Sequence, residues 1–365
     1  MKLAHWKLLP LALMVVLAGC ANPGPPLPPS LELPQPVSDL RATRKGDNVY
    51  LFWTVPTQTL DHQNVVHRGD TRICRAAGPE ITDCGMGVGE ISPQKFPVEL
   101  PEKRKRGKKL PKVEASYIDK LPPSLLREDA SALVTYAVSA YNLRARTAGL
   151  SNQVQVPAVP TPAPPQNFQA KVTAEGVVLH WDALPRPPDT EGLSYVVRVY
   201  RRAVGGKTDA IAGETPVSAT MVADHGFEWE KSYDYRAAVV TEIAEPGKGE
   251  LLLEGDDTPA VRVMAQDIFP PAVPSGLQAV ASGVGQQPGI DLVWAPDTEL
   301  DLAGYNIYRR EGGGTPEKIN LDLVKSPSYR DTTAIPGHTY FYAVSAVDVR
   351  GNESGRSEEA QERLR

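Results

Sequence analysis

Along most of this chain, apolar and polar residues alternate in short runs that end at glycine, proline or asparagine. In Val49-Tyr50-Leu51-Phe52-Trp53, period-two alternation puts Val49, Leu51 and Trp53 on one face. Val177-Val178-Leu179-His180-Trp181 does the same with Val177, Leu179 and Trp181, and Ile290-Asp291-Leu292-Val293-Trp294 is a third such run. Further strands are predicted at Tyr195-Val196-Val197-Arg198-Val199-Tyr200 and Tyr305-Asn306-Ile307-Tyr308-Arg309. No stretch carries helical periodicity of any length. The pattern predicts an all-β chain of antiparallel sandwiches.

The runs recur in a fixed order, so the chain is internally repeated. Tyr136-Ala137-Val138-Ser139-Ala140 returns unchanged as Tyr342-Ala343-Val344-Ser345-Ala346, and Tyr235-Arg236-Ala237-Ala238-Val239 is its middle counterpart. Proline-rich joints separate the copies. They are a stretch from Asn22 to Pro36, a second from Val156 to Pro165, and a third from Phe269 to Pro274. Such stretches favour extended polyproline II, at about 3.1 Å per residue. The expected division is a leader over 1–19, a tether over 20–35, and domains over 36–157, 163–265 and 270–363.

The repeats resemble fibronectin type III modules. In the third, Pro274, Leu277, Trp294, Gly304-Tyr305, Tyr308-Arg309, Pro336-Gly337, Tyr340 and Gly351-Asn352 fall in that family's order. The resemblance implies a corner tyrosine at Tyr340 and at Tyr233, its hydroxyl meeting backbone at the turn before the strand. Trp229-Glu230-Lys231 lacks the usual Pro-Gly, so the middle corner is expected to differ. In the first repeat the corner position falls on Val134. The fold hosts unrelated binding and spacer roles, so it implies no activity.

Composition adds the compartment. Lys2 and Lys7 precede an apolar run from Leu8 to Leu17, too short to span a bilayer, and Leu17-Ala18-Gly19-Cys20 closes it. This resembles the lipobox of bacterial lipoproteins, which implies cleavage before Cys20 and its lipidation. Several acyl chains on one residue suffice for stable anchoring. Ala21 is not aspartate, so by that family's sorting rule the outer membrane is expected, with the leaflet open. Cys74 and Cys84 remain for an oxidising compartment, where a disulfide is expected over a pair of metal ligands, since no cluster completes a metal site. A net charge of −5 gives no general reason to expect nucleic acid.

Candidate chemistry is sparse. Lys103, Arg104, Lys105, Arg106, Lys108 and Lys109 crowd one segment of an insertion running roughly from Gly85 to Val113. Mutual repulsion makes this a solvated loop, or alternatively an anion-binding patch for headgroups, phosphates or an acidic partner. Arg68-Gly69-Asp70 spells an integrin-binding tripeptide but lies well before the loop that carries it in adhesive modules. Asp297, Glu299 and Asp301 alternate as calcium ligands do, yet lack the glycine and distal glutamate of an EF-hand, so a solvated turn is expected. Gly85-Met86-Gly87-Val88-Gly89 lacks a phosphate-binding lysine and reads as a loop. Trp229 and Tyr305 suit core or interface packing better than a sugar-binding face. His62, His67, His180, His225 and His338 are scattered, and no serine elbow or zinc motif occurs.

These observations lead to a lipid-anchored, non-catalytic envelope array that binds a protein or glycan partner through loops and sheet edges. It needs no cofactor, metal, small-molecule substrate or specific nucleic acid. Two alternatives stay open. One is an envelope-assembly accessory acting through Gly24-Pro25-Pro26-Leu27-Pro28-Pro29, which is similar to a segment of small envelope lipoproteins. The other is a spacer array for an extracellular enzyme system.

Overall fold

The structure, a computed structural model, describes residues 31–85, 87–93, 112–245, 249–283, 285 and 287–365. Cys20, the lipobox, residues 22–30 of the tether and the run Lys103, Arg104, Lys105, Arg106, Lys108 and Lys109 lie outside the described residues. By its contacts the chain divides into two compact units. One holds the chain up to Ala42, with Leu51–Tyr117 and Thr135–Gln155; the other holds Thr43–Tyr50, Ile118–Val134 and Val156–Arg365.

The same strand order occurs three times. The first repeat supplies β1 (Arg41–Lys45), β2 (Asn48–Thr54), β3 (Arg68–Ala77), β4 (Gly89–Ile91), β5 (Glu114–Lys120), β6 (Leu133–Asn142) and β7 (Val154–Pro157). These form sheets ordered β1-β2-β5 and β4-β3-β6-β7. The second supplies β8 (Gln169–Thr173), β9 (Gly176–His180), β10 (Leu193–Ala203), β11 (Ala210–Pro216), β12 (Met221–Asp224), β13 (Ser232–Glu245), β14 (Gly249–Asp257) and β15 (Val261–Met264). Its sheets run β12-β9-β8 and β11-β10-β13-β14, with β15 also on β13. The third supplies β16 (Gln278–Ala281), β17 (Ile290–Val293), β18 (Leu302–Glu311), β19 (Glu317–Lys318), β20 (Ser328–Asp331), β21 (Thr339–Asp348) and β22 (Ala360–Arg363). Its sheets are β16-β17-β20 and β19-β18-β21-β22. The chain is therefore all-β, in tandem sandwiches of fibronectin type III order.

Alternation decides what is buried. Val49, Leu51 and Trp53 are out of water, as are Val177, Leu179 and Trp181 and then Ile290, Leu292 and Trp294. In the second module Trp181 joins Val197, Val199, Tyr233 and Tyr235 in one core; in the third Trp294 joins Tyr305, Ile307, Tyr340 and Tyr342. Burying such side chains contributes about 1.5–3 kcal/mol each, which accounts for a tryptophan at the same step of each copy.

The corner tyrosines are present in both modules. Tyr340 Oη accepts the Ile335 N–H at 3.1 Å, and Tyr233 Oη accepts the Glu228 N–H at 3.0 Å. The middle corner, expected to differ, does not. Glu230 takes up φ +62°, where Gly337 has φ +88°. Glu230 N–H donates to Ala265 O at 2.7 Å, as Gly337 N–H does to Leu364 O at 2.8 Å. Tertiary bonding holds a side-chain-bearing residue in a conformation normally left to glycine.

The insertion in the first repeat starts later than the sequence suggested. Gly89–Ile91 is strand β4, paired to β3, and takes the sheet position that β11 and β19 take in the later modules. Its three residues and glycine content hide it from alternation counting.

Candidate functional site

One cavity lies on the second module. It is an open groove of about 540 Å³ between two proline-bearing walls, residues 160–164 and 182–188. Proline fixes φ and removes a donor, so each wall stays extended without needing a sheet partner. Hydrogen bonds still pin their ends. Asp182 N–H donates to Gln166 O at 3.0 Å, and Gln166 Nε2 donates to Pro164 O at 2.8 Å. Asn167 Nδ2 reaches Asp182 Oδ2 at 2.7 Å.

Tyr195, Val217 and Val239 complete the lining, and Glu128 stands beside them. Leu184 and Val217 also pack on the module's core, which ties the groove to its rigid part. The Tyr195 phenol is half-buried, and burial first, then the Glu128 charge, pushes its pKa up. It stays protonated and available as a donor. Among the described residues, neither the Tyr195 hydroxyl, the Glu128 carboxylate nor the Arg186 guanidinium has a hydrogen-bond partner. The groove thus combines apolar walls, one aromatic face and three free polar groups. That composition suits a ligand with apolar C–H faces and many hydroxyls or amides.

The residues singled out in the sequence fare variously. Cys74 and Cys84 are bonded, with Cα atoms 4.9 Å apart, and pack with Ile81 and Ala137. Arg68-Gly69-Asp70 opens strand β3, and a Cβ on Gly69 would sit 2.4 Å from Asn142 O, so the tripeptide is not a presented loop. The glycines at 85 and 87 take φ +55° and +70° in the loop entering β4. Tyr305 is core, its hydroxyl accepting the Asp297 N–H at 3.0 Å. Trp229 is half-buried between Phe227 and Phe269, at ring distances of 4.8 and 6.2 Å. Both pack; neither offers a free sugar platform.

The acidic turn holds a surprise. Asp297 accepts the Glu299 N–H and Glu299 accepts the Ala272 N–H, as turn residues do. Asp301 instead meets Asp267 and Asp348, with carboxylate oxygens within 4.8 Å of one another. Burial, followed by the charges of Asp348 and Asp301, raises the Asp267 pKa. These positions are far apart in the chain, so only the fold reveals the trio.

Four of the histidines have separate partners. His62 meets Gln35, His67 meets Glu32, His225 meets Glu175 O and His338 meets Glu311. None of these pairings joins a histidine to a serine or cysteine. Among the described residues, no helix is long and apolar enough to cross a membrane.

No family model matches the chain. It is 33% identical over 187 residues to an amylopullulanase of Thermoanaerobacterium saccharolyticum, a match covering 44% of this chain and 13% of that protein. Over 105 residues it is 36% identical to an alpha-amylase of Niallia circulans, covering 28% of this chain and 7% of that protein. The chain therefore spans a small fraction of the curated relatives it matches. Among solved structures, a fibronectin-like protein from Clostridium thermocellum is 34% identical, covering 26% of this chain and 92% of that one, with a TM-score of 0.22. The FN1–FN3 domains of chicken CNTN1 are 15% identical, covering 91% of this chain and 99% of that one, with a TM-score of 0.27.

Proposed function

We propose that this chain is a non-catalytic accessory array that holds a glycan in the groove of its second module. The groove carries the reading. Its volume of about 540 Å³ falls within the range of small-ligand sites. Tyr195 and the proline rings offer C–H and π surface to sugar rings, and Glu128, Arg186 and the Tyr195 hydroxyl are free to bond sugar hydroxyls. The partial likeness to an amylopullulanase and an alpha-amylase supports an α-glucan as the first ligand to try. Matching so little of those enzymes' length is consistent with an accessory part rather than a catalytic one.

The array is tethered in this reading. The lipobox at Leu17-Ala18-Gly19-Cys20 supports lipidation of Cys20 and attachment to the outer membrane of the cell envelope. A weak glycan site on an anchored array gains from high effective concentration at the surface.

Affinity electrophoresis tests the ligand. The full chain should be retarded in gels containing pullulan or amylose and not in gels containing cellulose derivatives. Equal mobility in all three removes the α-glucan reading. Labelling with radioactive palmitate tests the anchor, which should vanish in Cys20→Ala.

A further inference from the structure

The proline wall of the groove does not stand alone. Strand β14 passes behind it, so closely that a Cβ on Gly255 would lie 3.1 Å from Pro162 O and 2.9 Å from Val239 O. On either side of Gly255, residues 254 and 257 are gripped by the turn between β1 and β2. Gly46 N–H donates to Glu254 O at 2.8 Å. Lys45 Nζ lies 3.2 Å from Glu254 Oε2 and 2.8 Å from Asp257 Oδ2. Gly46 sits at φ +56°, the left-handed conformation that lets the turn present its N–H to the strand.

We infer that the Lys45-Gly46 turn is a salt-sensitive latch on strand β14, and that engaging it sets the shape of the groove's proline wall. The inference rests on the groove being the binding site. One lysine serves two carboxylates, and its side chain and theirs are each about 30% exposed. Ions reach such a site, so raised salt weakens the grip. The Gly46 to Glu254 backbone bond then holds the turn to the strand by itself. Once the turn lets go, β14 keeps its pairing to β13 and its bonds to Tyr200 and Arg236 but loses its outer hold, so Gly255 presses less firmly on Pro162 and the wall loosens. The latch residues do not line the groove, so they act on the ligand only through β14.

Hydrogen exchange on the full chain reads the latch directly. In Lys45→Ala at low salt, amides of 249–257 and those of Thr161 and Ala163 should exchange roughly three- to tenfold faster than in the wild type. Wild type in high salt should approach the same rates, and Lys45→Arg should restore protection. Pullulan affinity should fall several-fold in Lys45→Ala, and by the same factor in wild type at high salt. Unchanged exchange in Lys45→Ala overturns the latch, whatever the groove binds. Faster exchange at 249–257 with Thr161 and Ala163 unmoved overturns its coupling to the wall. Faster exchange at both sites in a chain that binds no pullulan sustains the latch and removes only the glycan reading.

Discussion

Tyr342 donates its hydroxyl hydrogen to Asp331 Oδ2 at 2.8 Å, and both side chains are shut away from water. The middle module repeats the pair as Tyr235 and Asp224, again at 2.8 Å. Each carboxylate also faces an arginine, Arg309 at 2.8 Å and Arg201. Burial works against ionising Asp331, but bonds from Thr333, Tyr342 and Arg309 outweigh it and hold the carboxyl below its ordinary range. The same Asp–Tyr–Arg set therefore holds strand to strand in two modules.

Removing the acid leaves a buried phenol and a guanidinium without their shared acceptor. Asp331→Ala should destabilise the third module by about 3 kcal/mol, near the low end for breaking a buried pair. Tyr342→Phe loses one hydrogen bond and should cost about 1–2 kcal/mol. Urea unfolding followed by tryptophan fluorescence measures both. An Asp331→Ala loss smaller than that of Tyr342→Phe contradicts the account.

At the middle corner, Glu230 carries the strain of a positive φ that Gly337 avoids. Glu230→Gly should gain about 0.5–1 kcal/mol, and Gly337→Ala should lose about 1 kcal/mol. The gain is trimmed by the bond that Glu230 Oε1 accepts from Asp267 N–H at 3.2 Å. Thermal unfolding of the two variants should move in opposite directions.

Much of the fold was legible in the sequence because alternation and repetition are local signals. The buried face at Val49, Leu51 and Trp53 follows from alternation and the Cys74–Cys84 bridge from cysteine number and spacing, while the corner tyrosines follow from the resemblance to fibronectin type III modules. The site was not legible. Pro160 to Pro164 falls in the second proline-rich joint, and nothing in it or in Pro185 to Pro188 says that the two face each other. Likewise Asp301 looked like one of an alternating trio with Asp297 and Glu299, whereas the fold groups it with Asp267 and Asp348. The middle corner was misread because propensity favours glycine there, and tertiary bonding overrides propensity.

Two carboxyls should respond to pH in opposite senses. Burial disfavours the Glu254 charge, but bonds from Tyr200 and Lys45 and the nearby Arg236 charge outweigh that and lower its pKa. Its contribution is complete above the unfolded value of about 4.3 and is lost as pH falls through its folded value. Asp267 is raised, so its charge costs stability near neutral pH and that cost disappears on acidification through its folded value. Asp267→Asn should therefore raise the melting temperature at about pH 7 and leave it nearly unchanged at about pH 3. A variant that melts lower at neutral pH would count against the repulsion among the three acids.

Cys74 and Cys84 close a short loop in the first repeat, whose corner position holds the buried Val134 rather than a tyrosine. Reduction, or Cys74→Ala with Cys84→Ala, should cost roughly 2–3 kcal/mol. Denaturant unfolding with and without reductant measures it. The loss should leave pullulan binding intact, because the groove draws on neither cysteine.

Tyr195 is the aromatic face on which the proposed glycan site depends. Calorimetric titration of pullulan into the full chain and into Tyr195→Ala is the direct measurement. The wild type should release heat that saturates, and the variant should bind at least tenfold more weakly at unchanged melting temperature. Equal affinity in the two proteins, or no heat from either, contradicts the claim.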